Sequence, residues 1–257
     1  SILSKTSGFL AEAGFTHSLT PARNCLFGCT YCYVPTMRIQ GGLKPDDWHH
    51  WGKFTTFKRN AATLLARQVR SEQIVYCSPL VDPYQPGEMS EGLMRSILQV
   101  LIEKPPKVFV LQTRGPLILR DRDLLLTLTQ RTTVRISFSI TTNRDAVRQL
   151  YEPLCASITK RLDTVRSLVA AGLDVYATLA PLLPCDPEDL AKEALQVTTG
   201  NIIGDSFHVR AVKKYGGTTA DAGWQVSRQY GYSDWHDPTR QSEVVKRIGQ
   251  VVNAAGR

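Results

Sequence analysis

The run Cys25-Leu26-Phe27-Gly28-Cys29-Thr30-Tyr31-Cys32-Tyr33 brings three thiols into one short loop. Thiolates spaced C-x3-C-x2-C can reach three corners of a cubane, so a [4Fe–4S] cluster on Cys25, Cys29 and Cys32 would keep one iron free of protein ligand. An open iron is a place for chemistry, as in catalytic zinc sites that withhold one protein ligand for substrate. Gly28 suits a loop that must wrap a cluster closely, because it has no Cβ to hold the backbone away. The same thiols admit a zinc reading. His17, His49 and His50 are available as a fourth ligand, although zinc sites more often pair their cysteines two and two. A disulfide would leave one thiol over. Cys155 and Cys185 fall apart from the loop and from each other in sequence, and provide too few ligands for a second cluster.

The elements that must position this loop follow from periodicity. Phe15 to Thr20 is rich in β-formers and predicts a first strand that delivers the loop at its carboxyl end, after a polar, mobile start to the chain. Ile74–Ser78, Val108–Thr113, Val134–Ile140, Leu173–Leu179 and Ser206–Arg210 read as five further strands. Between them lie segments with apolar residues at helical spacing: Asn60 to Arg70, Leu93 to Ile102, Leu124 to Leu128, Leu162 to Val169 closing at Gly172, and Leu190 to Val197. Six strands alternating with helices imply a parallel α/β sheet with right-handed crossovers. Trp48 and Trp51, in the loop-like stretch Gly41 to Gly52, are expected to cover the barrel side or form a lid. Residues 214–240 are the least regular part, and Glu243 to Ala254 predicts a closing helix. Nothing signals an internal boundary, so residues 1–257 read as a single domain, with a core of about 15–212 and a C-terminal extension of about 213–257.

Composition narrows the class. Of 257 residues 42% are hydrophobic and 21% charged, values ordinary for a globular chain with a well-buried core. No stretch nears ~20 uninterrupted apolar residues, which argues against a membrane span, and Ser1 to Lys5 lacks a signal-peptide layout. A cytoplasmic, reducing setting is the expectation, and it suits cluster cysteines. Lys and Arg (31) exceed Asp and Glu (23) for a formal charge of +8, which favours a polyanion such as nucleic acid without a concentrated basic run.

With its aromatic residue Tyr31 before the last cysteine, the motif Cys25, Cys29, Cys32 resembles the signature of radical S-adenosylmethionine enzymes. The resemblance implies a partial (β/α)6 TIM-type barrel. It also implies S-adenosylmethionine chelated on the open iron, reductive cleavage to a 5′-deoxyadenosyl radical, and a reductant such as flavodoxin or ferredoxin. Asp82-Pro83-Tyr84-Gln85-Pro86 with Glu88, Arg120-Asp121, Glu152-Pro153, Arg161-Leu162 and Ala180-Pro181 further resemble the group related to spore photoproduct lyase, over roughly residues 15–185. The Asp82 to Pro86 loop is a feature of that lyase's relatives, not of the lyase itself, and the chain leaves little room for a lesion-inserting hairpin. Predicted strand ends gather Cys77, Ser78, Asp82, Arg114, Ser139, Thr141, Asn143 and Pro181 where barrels keep their catalytic groups. On this resemblance Arg114 and Ser139 match residues that contact S-adenosylmethionine, Cys77 matches a hydrogen-donating cysteine, and Tyr31 and Tyr33 match tyrosines that assist radical transfer. Thr141 is a further hydroxyl for carboxylate or ribose, and Ser78 or Asp82 would face the ammonium. Each has a local reading as well: Arg114 pairing with Asp121 or Asp123, Asp82 capping a turn, Ser139 bonding within the sheet, and Cys77 as a buried strand thiol. The implied activity is hydrogen abstraction from an unidentified substrate, a nucleic-acid base being the nearest specific form. A peptide or small metabolite as substrate, or a non-catalytic iron–sulfur or zinc protein, are the other readings.

Overall fold

A computed structural model describes residues 1–36, 50–208 and 220–257 of the chain. Trp48, His49, Val209 and Arg210 lie outside the described residues. Short apolar and β-branched runs form β1 (Leu3–Lys5), β2 (His17–Leu19), β3 (Ala22–Arg23), β4 (Thr56–Phe57), β5 (Ile74–Cys77), β6 (Val108–Thr113), β7 (Thr133–Ser139), β8 (Asp174–Leu179) and β9 (Ile202–Gly204). A seven-stranded sheet runs β1-β2-β5-β6-β7-β8-β9, and β3 pairs with β4 in a separate ribbon. Only β1 is antiparallel in the large sheet; from β2 to β9 every neighbour is parallel and follows in chain order. Winding in one direction without reversal keeps the crossovers on one face and curls the sheet. The result is a partial TIM-type α/β barrel, with β1 and β9 at the edges of the sheet among the described residues.

The two faces of the sheet differ in chemistry because side chains alternate along a strand. In register across the sheet, Leu19, Cys77, Leu111, Ile136 and Val175 share one face. They enter the main core with helix residues such as Leu65, Met94, Ile97, Leu125, Val165 and Leu190. The helix Leu93–Glu103 shows why: Leu93, Met94, Ile97, Leu98 and Leu101 recur at the spacing of a single helical stripe and are all buried. The opposite, inner face carries Tyr76, Gln112, Ser137 and Thr178. Tyr76 Oη donates to Gln112 Oε1 at 2.7 Å, and the Ser137 and Thr178 hydroxyls meet at 2.6 Å. Leu10, from the short helix Phe9–Glu12, packs with Tyr76, Val110 and Tyr176 and plugs the amino end of this face.

Three expectations are corrected. The start of the chain is ordered, because Ile2 and Leu3 are apolar enough to bury and to add β1 to the sheet. The sixth parallel strand is Ile202–Gly204, not Ser206–Arg210. The helix Pro187–Val197 ends close before it, and the β-branched pair Ile202-Ile203 takes the register beside Ala177 and Thr178. Phe207, which suggested a strand, instead sits edge-on to Tyr31 and Tyr151. Within 214–240 the described residues are largely helical: Asp221–Gln229, a 3-10 turn at Ser233–His236, and the start of Pro238–Ala254. That last helix contains the predicted closing segment, capped by Asp237, whose side chain accepts from Arg240 N at 2.9 Å.

Candidate active site

The three-thiol loop leaves the β2 end through β3 and is fixed by two buried amides. Asn24 has a left-handed φ of 62°, and its Oδ1 accepts from Cys25 N at 2.7 Å and from Gly52 N at 3.0 Å. Gln85 Oε1 accepts from Leu26 N at 2.8 Å and from Thr55 Oγ1, while its Nε2 donates to Asn24 O at 3.4 Å. Gly28, at φ 56°, crosses Gly52, at φ 84°, so closely that a Cβ on Gly52 would stand 2.8 Å from Gly28 Cα. Cys32 N closes the loop on Cys29 O at 3.1 Å. Cys25 packs with Ala22, Phe27, Val81 and Cys155, and Trp51 and Phe57 cover that cluster.

The thiols are not equivalent. Burial pushes Cys25 up and Cys32 up to about 12. Cys29 is held below its ordinary value, first by a hydrogen bond with Cys155 and, against the cost of burial, by the guanidinium of Arg114. Cys29 Sγ lies 3.8 Å from Cys155 Sγ, across 126 residues of sequence, and 3.5 Å from an Arg114 Nη1 donor. Cys155, apart from the loop in sequence, meets it in space: the chain after the helix Asp145–Tyr151 returns to the rim, where Thr30 N donates to Tyr151 O at 3.0 Å.

Behind Cys29 is a buried charge network. Glu152 Oε1 accepts from the Tyr31 hydroxyl, from Arg114 Nη1 and, at 2.9 Å, from Thr141 Oγ1, while Oε2 accepts from Arg161. Burial works to raise the Glu152 carboxyl, but the Arg161 and Arg114 guanidiniums and these hydrogen bonds outweigh it and hold it at about 2. Arg161 is fully buried on the inward stripe of the helix Ile158–Ala170, and its Nε donates to Ala156 O at 3.1 Å. Arg114 does not pair with Asp121 or Asp123, which hold Arg120 and Arg95. Asp82 serves the turn: its carboxylate accepts from Tyr84 N at 2.9 Å, Thr113 Oγ1 at 2.6 Å and Arg114 N at 2.7 Å, so it seats Arg114 by the backbone.

The remaining candidates spread around this centre. Ser78 Oγ, at the β5 end, is buried with no hydrogen-bond partner among the described residues. Tyr33 Oη donates to Pro79 O at 2.6 Å, bringing the loop against the same strand end. Ser139 is buried at the end of β7, in register with Thr178 on the inner face. Asn143 Oδ1 accepts from Asp186 N at 3.1 Å. Cys77 is fully buried on the helix-packed face, the side away from Gln112 and Ser139. The rim thus brings together Cys29, Tyr31, Arg114 and Thr141, and leaves Cys77 in another layer.

No family model matches the chain. Its fold is similar to that of spore photoproduct lyase. One mutant of that lyase superposes with a TM-score of 0.61 at 12% identity, covering 98% of this chain and 76% of the lyase. Another, with bound AdoMet and dinucleoside spore photoproduct, gives 0.55 at 17% identity over 89% and 64%. Among curated sequences, an uncharacterized protein of Methanocaldococcus jannaschii, MJ0683, is 29% identical over 160 residues, and Rv2578c of Mycobacterium tuberculosis is 27% identical over 178. The chain spans 58% and 52% of those two relatives' lengths.

The donor chemistry fits a cluster: Cys25, Cys29 and Cys32 are three thiols in one loop. Among the described residues no three His, Cys, Asp or Glu side chains converge to hold one metal ion. A cubane asks for something else, one thiolate at each of several separate irons. The orphaned Ser78 hydroxyl beside that loop is a polar atom awaiting a partner. Sequence reasoning missed Asn24, set Cys155 apart from the loop, and knew Gln85, Glu152 and Arg161 only through resemblance. One signal was present: Arg161 falls on the apolar stripe Ile158, Leu162, Val165, where a charge demands a buried partner.

Proposed function

We propose that the chain is the catalytic core of a radical S-adenosylmethionine enzyme, with Cys25, Cys29 and Cys32 holding a [4Fe–4S] cluster. The carrying observation is the three-thiol loop, pegged by Asn24 and Gln85, at the carboxyl rim of a fold similar to spore photoproduct lyase. When bound and reduced, such a cluster supplies the electron that splits S-adenosylmethionine to a 5′-deoxyadenosyl radical, which abstracts hydrogen from substrate. The chain's own residues bind and orient. The Ser78 and Ser139 hydroxyls offer hydrogen bonds to the ammonium, carboxylate or ribose of the cofactor. Arg114, neutralised by Glu152, offers its fork of N–H groups to the carboxylate. Thr141 and Asp82 act one step back, on Glu152 and on the Arg114 backbone. Tyr33, against the β5 end, and Tyr31, bonded to Glu152, are the candidates for radical transfer. Cys77 has no such role in this arrangement, since its thiol faces the helices and a hydrogen donor must be reached by its radical. A low-potential reductant of the flavodoxin or ferredoxin class completes the reaction.

For the substrate, the proposal is a nucleic-acid base. The formal charge of +8 and the likeness to a lyase structure holding a dinucleoside spore photoproduct support it. The test is anaerobic reconstitution with iron and sulfide, then reduction with S-adenosylmethionine present. Formation of 5′-deoxyadenosine well above a Cys29→Ala control is expected, and production equal to that control would overturn the radical reading. Stoichiometric zinc without cluster absorbance would favour a structural metal site.

A further inference from the structure

The inference rests on the proposed cluster and concerns what surrounds one of its ligands. Two groups meet the Cys29 sulfur: Cys155 Sγ at 3.8 Å and the Arg114 Nη1 donor at 3.5 Å. Both are built in. Cys155 is 5% exposed, its backbone N donates to Glu152 O at 3.0 Å, and its carbonyl accepts from Arg148 Nη1 at 3.0 Å. Arg114 is gripped by Glu152 and Tyr31 at the head and by Asp82 at the backbone. A sulfur that ligates iron carries no proton, so within this 3.8 Å pair Cys155 is the group left to donate an S–H.

Cys155 does not suit a fourth corner. Each ligand sulfur of a cubane is bonded to its own corner iron and lies radially outside it, so ligand sulfurs stand well apart, whereas this thiol touches a ligand sulfur. Hydrogen bonds to ligand sulfurs draw off charge and stabilise the reduced cluster, which raises its reduction potential. We infer that Cys155, together with Arg114, is a positioning residue that hydrogen-bonds the Cys29 sulfur and raises the reduction potential of the cluster.

The test uses the full chain as wild type, Cys155→Ala and Cys155→Ser, each reconstituted anaerobically to matched iron and sulfide content. The midpoint of the cluster is read by redox titration followed by electron paramagnetic resonance. Cys155→Ala should titrate at a lower potential than wild type, and Cys155→Ser, which keeps a hydroxyl donor of similar size, should return toward it. A purely structural role moves unfolding but not the midpoint. Equal midpoints for all three proteins overturn the inference. So does a Cys155→Ala protein that takes up no iron while Cys29→Ala does, which would make Cys155 the ligand. Failure of the wild type itself to hold a cluster removes the proposed function, and the inference with it, whereas a wild-type cluster indifferent to Cys155 removes the inference alone.

Discussion

Glu152 concentrates the electrostatics of the rim in one carboxylate with four partners: Tyr31, Arg114, Thr141 and Arg161. Removing its charge leaves the buried Arg161 and the partly buried Arg114 uncompensated, and breaking a buried ion pair from one side costs about 3–5 kcal/mol. Glu152→Gln is therefore expected to lower unfolding stability by that order near neutral pH, read in urea. The pH dependence has a definite sign. The folded carboxyl titrates at about 2, below its ordinary 4.5, so its contribution is full above 4.5 and lost as pH falls toward 2. The gap between wild type and Glu152→Gln should narrow through that window. A gap that stays constant down to about 2 would show that the charge is not what stabilises the network.

At the scale of elements, the cluster loop depends on a chain segment more than twenty residues away. Gly28 and Gly52 cross at a separation that excludes a Cβ, and Asn24 accepts from both Cys25 N and Gly52 N, so the two segments form one unit. Gly52→Ala would place a methyl 2.8 Å from Gly28 Cα at a φ of 84°, a region that costs other residues ~1–2 kcal/mol before any clash. The sheet and its helices do not involve Gly52, so the variant should fold but load less iron and sulfide than wild type. Full loading with an unchanged melting temperature would mean that the loop does not need this crossing. The β9 position belongs to the same scale. Strand order there follows from the short link after the helix Pro187–Val197, and the aromatic Phe207 is spent on ring packing.

For the whole molecule, the partial barrel collects the carboxyl ends of its parallel strands at one rim, and the excess of 31 basic over 23 acidic residues lies on a chain proposed to act on nucleic acid. If phosphates are contacted, affinity for single- and double-stranded DNA falls linearly in log–log form with salt, by about one unit of slope per phosphate neutralised. A titration series across salt concentrations reads that slope directly. Binding that is absent, or insensitive to salt, would turn the substrate search toward peptides and small metabolites. Among the described residues no helix is long and apolar enough to cross a membrane.

Much of this was legible in residue order. The period of the apolar residues implied parallel strands alternating with helices, because amphipathic period is a local property, and the spacing of Cys25, Cys29 and Cys32, equally local, is what the proposed cluster rests on. Five of the six parallel strands fall where those patterns put them. Tertiary structure alone decided what lies beside those thiols. Cys155 meets Cys29, Gln85 pegs the loop and Arg161 backs Glu152 because chain return brings together groups far apart in sequence, and no local period records such contacts. It decided the face of Cys77 as well. Alternation along a strand says that neighbours point opposite ways, but only the packing of helices against the sheet determines which way is in.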